Sequence, residues 1–265
     1  MSGNSVFEMV SERGWKRGFN NLLDSGLARW FKTNTWWIQC LIWGGMLGII
    51  LSAMLFSREK ADIETVLLVF GVFAGLFPAV AVTIIMQDAL VGEKREGTAA
   101  WVLSKPVTRP AFILSKLIAN SVGVLVTMVL VPCALSYALI SIATKSALDP
   151  LRFLGAMGVV FVSHFFFLSL TLMLGTFFSG RGPVIGIPLA LLFLQQNLIG
   201  FLPALRYVFP WNLVAPIGNT PNALLFSLLS RTPLRSGHLI TLLSVGAESI
   251  VFVLISLWRF KREEL

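Results

Sequence analysis

Long unbroken apolar blocks constrain this chain more than anything else in it. Six can be drawn, at 35–56, 63–91, 111–143, 151–178, 183–205 and 238–258. A helix rises 1.5 Å per residue, so about 20 apolar residues cross the roughly 30 Å of bilayer hydrocarbon, and each block is long enough. Apolar residues at helical or strand period would mark a half-buried face, whereas these run continuously. The ten-residue alternation of a transmembrane barrel is missing. Composition agrees, with 56% hydrophobic and only 13% charged residues, about half the charge of a soluble domain. The expected fold is all-α, a membrane protein of six transmembrane helices.

The second and third blocks are longer than a crossing requires, and their excess flanks one loop, 92–110. Both helices are therefore expected to project beyond the bilayer on that side, unless 111–119 forms a tangential helix of its own. Lys and Arg set the orientation. The lead carries Arg13, Lys16, Arg17, Arg29 and Lys32. With Lys94, Arg95, Lys105, Arg109 and Lys116, then Arg181, and finally Arg259, Lys261 and Arg262, one side holds 14. The other holds Arg58, Lys60, Lys145, Arg152, Arg206, Arg231 and Arg235, which is seven. This two-to-one bias places both termini in the cytoplasm, as an even number of spans requires, in a multi-pass protein of the plasma (inner) membrane. The formal charge of +8 flanks apolar blocks, so it reports topology and contact with bilayer headgroups rather than nucleic acid. The first block follows a basic lead and is too long for a signal-peptide core, so it reads as an uncleaved span.

Residues 1–34 are expected to form a cytoplasmic amphipathic elbow helix ahead of a six-helix domain, 35–265. On a helical wheel Trp15, Phe19, Leu22, Leu23, Gly26, Leu27 and Trp30 cover one arc, and Arg17, Asn20, Asn21, Asp24, Ser25 and Lys32 the other. That pattern suits a helix lying in the headgroup plane, or one packed on a partner. Between the fifth and sixth spans, Pro210, Pro216, Pro221 and Pro233 break an apolar stretch. It is expected to form short helices dipping into the outer leaflet, broken or re-entrant, packed on protein so that their backbone is satisfied. Pro78, Pro132 and Pro188 fall inside spans and predict kinks. Cys40 and Cys133 lie in apolar blocks without CxxC spacing, and indicate neither a disulfide framework nor a metal site.

No GxxxxGK[ST], HExxH or GxSxG occurs, so neither nucleotide binding nor hydrolase chemistry is expected within this chain. The informative segment is the 92–110 loop. It contains Glu93-Lys94-Arg95-Glu96-Gly97-Thr98, a short apolar stretch, Pro106-Val107-Thr108-Arg109, then Ile113-Leu114 and Lys116. Four charges at the end of the long second span must sit in water. Glu96 is placed to cap the Gly97-Thr98 turn, and 99–104 has room for under two helical turns before Pro106. Such a short rigid helix between two protruding spans can transmit a push.

This segment resembles the loop of type-2 ABC transporter permeases, and is similar to the branch associated with multicopper-enzyme maturation. The wider layout matches too: an elbow helix, six spans, both ends inside and a broken outer segment. The resemblance implies the membrane subunit of an ATP-driven exporter. It implies coupling to a pair of separate ATPase subunits through Glu93, Lys94, Arg95, Glu96, Gly97, Thr98, Pro106 and Arg109, with ATP and Mg bound by those partners and no cofactor here. It also implies a second permease subunit, either the same chain or a paralogue. Largely apolar spans make a hydrophobic or amphipathic substrate more plausible than a sugar or free ion.

Glu248, His164 and Gln195-Gln196-Asn197 lie at similar depths near mid-membrane. An ionisable group there faces a partner or a cavity. These residues either line a translocation path or make interhelical hydrogen bonds. A different class of reading makes Glu248 and His164 proton carriers of an ion-coupled secondary transporter or channel. The paired repeats such proteins usually carry are not evident. A third reading is a non-transporting membrane scaffold that recruits a partner through the loop.

Overall fold

The computed structural model describes residues 14–57, 62–144, 148–217 and 223–263. The first part of the lead, Arg13 included, lies outside them, as do Arg58, Lys60, Lys145 and Pro221. Among the described residues every regular element is helical. A short lead helix, α1 (Phe19–Phe31), precedes the first span, α2 (Thr35–Phe56). Then come α3 (Ile63–Arg95), the loop helix α4 (Thr98–Leu103), α5 (Arg109–Thr144), α6 (Pro150–Phe177) and α7 (Arg181–Phe201). Two short helices, α8 (Trp211–Val214) and α9 (Leu224–Leu229), lead into the last span, α10 (Ser236–Phe260). Six of these are long and apolar enough to cross a membrane, and the chain is a multi-pass membrane protein.

At 33 and 36 residues, α3 and α5 measure about 50 and 54 Å, some 20 Å more than the hydrocarbon requires. Residues 111–119 belong to α5 itself, not to a separate tangential helix. Neither helix is uniform. In α3 the first segment stops at Gly75 and the next begins at Phe77, with Pro78 in its opening turn. Pro78 has no N–H to offer the carbonyl four residues back, so the ladder opens there. In α5 a π turn spans Leu125–Leu130, immediately before Pro132, and Val131 N–H reaches back to the Val126 carbonyl. Widening the turn is how a helix absorbs a proline without ending. The last span-five residues of the sequence reading are not part of α7: its helix stops at Phe201, and Pro203–Tyr207 makes a tight 3₁₀ turn.

The core is built around α6. Of its most apolar window 67% is buried, against 22% for α2 and α10 and 28% for α7. α6 therefore sits at the centre, with α3, α9 and one face of α10 packed on it, while α2, α7 and α10 leave most of their apolar surface facing outward. Asp149 caps α6 by accepting from Leu151 N–H (3.0 Å) and Arg152 N–H (3.3 Å). Phe153, in its first turn, stacks on Phe70 of α3 at 5.8 Å.

The broken segment packs on protein as its backbone demands. Val214 of α8 enters a notch in α3 made by Gly71 and Gly75: a Cβ on Gly71 would stand 2.7 Å from the Val214 carbonyl oxygen, and one on Gly75 2.4 Å from the Val214 Cβ. Leu213, Val214, Ala215, Leu225 and Phe226 are buried. Gln195 Oε1 of α7 accepts from the Trp211 backbone N–H (3.2 Å), and Trp211 Nε1 donates to the Pro216 carbonyl (2.9 Å).

Candidate functional site

The charged loop gathers where α3 and α5 overshoot. A second π turn, Asp88–Gly92, precedes Glu93. The extra residue rotates everything after it by about 100°, which re-aims the following charges. Gly97 then ends the helix in the left-handed region (φ 74°), its N–H bonding the Lys94 carbonyl (3.3 Å). Glycine enters that region without the Cβ penalty. The Glu96 side chain does not cap α4, as the sequence suggested; Gly97 does so by its backbone alone, accepting from Trp101 N–H (3.0 Å).

α4 has two faces. Ala99 is completely buried, and Val102 and Leu103 pack against the core. On the other side Trp101 is 64% exposed, and Lys105 Nζ lies 5.0 Å from its ring centroid. Arg95, Glu96, Gly97, Thr98, Ala100, Ser104, Lys105 and Pro106 are exposed with it. An aromatic side chain among exposed polar and charged neighbours has the composition of an interface anchor.

Beneath this face three motif charges point inward. Lys94 Nζ, only 6% exposed, donates to Glu263 Oε1 (2.6 Å) and to the Gly175 carbonyl (2.7 Å). Glu93 pairs with Lys116 of α5. Arg109 Nη1 donates to the carbonyls of Phe260 (3.1 Å) and Lys261 (3.0 Å) and to that of Glu263. These are carbonyls at the C-terminal end of α10, where a helix has no donors of its own and favours a cation. Phe112 stacks on Phe260 at 5.6 Å within the same clamp.

The Pro-Val-Thr-Arg run is tied to the lead as well. Val107 fills the space over Gly18 (φ 79°), where a Cβ would come within 2.7 Å of its methyl carbon. Thr108 N–H donates to the Arg17 carbonyl (3.1 Å) and its hydroxyl to the Trp15 carbonyl (2.5 Å), while the same hydroxyl oxygen accepts from Ala111 N–H (3.3 Å) and caps α5. α1 continues along α5. Trp30 is buried and its Nε1 donates to Asn120 Oδ1 (3.1 Å). The amphipathic arc seen in the sequence is thus spent largely on the chain's own α5.

The eight loop residues chosen from sequence therefore divide. Glu93, Lys94 and Arg109 are brought together as a base, and Arg95, Glu96, Gly97, Thr98 and Pro106 form the outer face. Sequence reading passed over Trp101 and Glu263. A lone tryptophan in a charged loop was a usable signal for the first. The only signal for the second was a pair of acids, Glu263 and Glu264, following Arg259, Lys261 and Arg262, since its partner Lys94 is 169 residues away.

No hydrogen bond among the described residues joins any two of the five mid-membrane polar groups. Glu248 is half-buried and accepts from Ser244 of its own helix (3.1 Å). His164 is fully enclosed beside the backbone of Ala74, the carbonyl that Pro78 deprives of its donor, yet neither ring nitrogen makes a hydrogen bond of good geometry among the described residues. Gln195 is buried and holds α8. Gln196 and Asn197 are exposed and line an open groove with Gly200, Phe201 and Ile217.

The sequence model for ABC-2 family transporter proteins matches residues 41–265, from within α2 through the loop to the last span. Among curated proteins, none matches the chain.

Proposed function

From the premise that this chain belongs to the ABC-2 family of transporter proteins, and so is a membrane permease subunit that associates with an ABC ATPase, we propose that it is half of an exporter in the plasma (inner) membrane. Two copies, or this chain and a paralogue, would form the path. A pair of separate ATPase subunits, holding ATP and Mg, would supply the energy, and this chain itself catalyses nothing. Both termini and the α4 loop face the cytoplasm, as the two-to-one bias of Lys and Arg favours.

The observation that carries this reading is the division of the α4 loop into an exposed face around Trp101 and a base bonded to α5, α6 and α10. A partner seated on the exposed face pushes on a block, not on a flexible loop. Motion of that face would be passed to the overhanging ends of α3 and α5 and to the last span together, a rigid-body switch. Aromatic residues surrounded by exposed polar neighbours are the usual anchors of such contacts.

The cargo is a hydrophobic or amphipathic molecule, moved outward. Support for a path between two subunits comes from α7, which turns Gln196 and Asn197 outward from a largely apolar span. Polar groups on an outward face within a bilayer belong against a second subunit or an aqueous path. Glu248, half-buried on α10, is a further candidate for the path, whereas Gln195 is taken up by holding α8.

The test is Trp101→Ala in the full chain, co-expressed with its ATPase. Retained ATPase should fall about thirtyfold or more, a loss of about 2 kcal/mol or greater as at interface anchors. Thermal stability should not change, because the indole is exposed. Normal retention and transport would mean that the loop is only a solvated connector.

A further inference from the structure

A cavity of about 320 Å³ opens between α1, α3, α5 and the start of α7, at the lower end of the size range of ligand clefts (~300 Å³ upward). Thr35 and Arg181, the first residues of α2 and α7, are in its wall. It therefore lies level with the ends of two spans, at headgroup depth on the loop side of the membrane. Its lining is split by chemistry: Trp30, Ile84 and Ile85 are apolar, while Arg29, Arg181 and Lys116 supply three cations and Asp88 one carboxylate. Arg29 and Arg181 are about half exposed and both bond Asp88, at 3.0 and 3.5 Å, while Lys116 is engaged by Glu93. A single carboxylate shared by two guanidiniums leaves a net positive rim. Gln87, in the same wall, is 3% exposed, and its Nε2 has no hydrogen-bond partner among the described residues. A buried amide donor normally finds an acceptor.

The geometry points to a binding site for the phosphate-bearing headgroup of an anionic phospholipid, seated between the lead helix and the transmembrane bundle. Guanidinium groups fit phosphate oxygens bidentately. The apolar wall receives the glycerol and first acyl carbons. The lipid would fasten α1, and through it the Thr108 end of the loop, to the membrane. Asp88 competes with the phosphate for both guanidiniums and so limits how tightly the lipid is held.

The experiment purifies the full chain from vesicles of equimolar phosphatidylglycerol and phosphatidylcholine and counts retained lipids by native mass spectrometry. Wild type should retain phosphatidylglycerol preferentially. R29Q/R181Q should lower that retention about fivefold per charge removed, R29K/R181K, which keeps the charge and loses the bidentate fork, should fall between that variant and wild type, and Asp88→Asn should raise it. The last variant keeps every cation, so it remains informative if the double glutamine variant fails to fold. Equal retention of the two lipids, or retention unchanged or lowered in Asp88→Asn, would overturn the site. Added inorganic phosphate separates the two sources of this chemistry. Phosphatidylglycerol that resists displacement supports the lipid assignment, and ready displacement by phosphate assigns the cleft to a free anion and overturns it.

Discussion

Single glycines decide how close the helices come. Gly123 on α5 meets Trp30 so tightly that a Cβ would stand 2.2 Å from the indole. Gly123→Ala is therefore expected to expel Trp30, break its bond to Asn120 and free α1 from α5. Overpacking of this kind costs about 1–3 kcal/mol, visible as a lower thermal midpoint and as faster proteolysis ahead of residue 32. Trp30→Phe should cost less than this by keeping the packing, although Asn120 Oδ1 loses its donor. An unshifted midpoint in Gly123→Ala would show that the two helices do not touch there. Arg109 acts by geometry as well as by charge, since one planar group serves three carbonyls. Lys in its place keeps the charge and loses most of the reach.

At the scale of elements, α4 depends on the turn before it. Gly97→Pro imposes a φ near −65° where the chain holds +74°, so the α3–α4 corner must rebuild. Glu96→Lys leaves the corner intact and reverses a charge on the exposed face. Both variants should abolish stimulation of the ATPase by substrate while the thermal midpoint of the spans changes little, Gly97→Pro more than Glu96→Lys. Full stimulation in both would exclude this element from coupling. The existence of the six spans was legible because a chain without barrel alternation can satisfy its backbone in hydrocarbon only as apolar helices. The charged loop was legible because its residues must be wet. The π turns were not, because a widened turn is a response to local context such as Pro132 and has no residue signature of its own. The split within the polar triplet was not legible, for a simple reason. Consecutive helical residues point about 100° apart, so similar depth does not mean a common face, and Gln195 turns inward while Gln196 and Asn197 turn out.

For the whole molecule, orientation is the property that everything else depends on. Cysteines placed singly at 105 and 231, in a chain with Cys40 and Cys133 replaced, should react oppositely with an impermeant maleimide. Position 231 should label in intact cells and 105 only after permeabilisation; the reverse pattern would invert the topology and remove the ATPase from reach of α4. Lys105 and Arg231 suit this test because both are exposed, whereas Lys94 is enclosed. That enclosure has a consequence in time. Lys94 and Arg109 are made early, yet the groups that receive them, at 260–263, leave the ribosome roughly 150 residues later. At about 5–20 residues per second the two cations wait some 8–30 s before they can be seated. The docking face proposed above is therefore not complete until residues 260–263 have emerged. A chain halted before Ser236 would leave Lys94 and Arg109 unseated, and on that proposal it would recruit its energy source poorly.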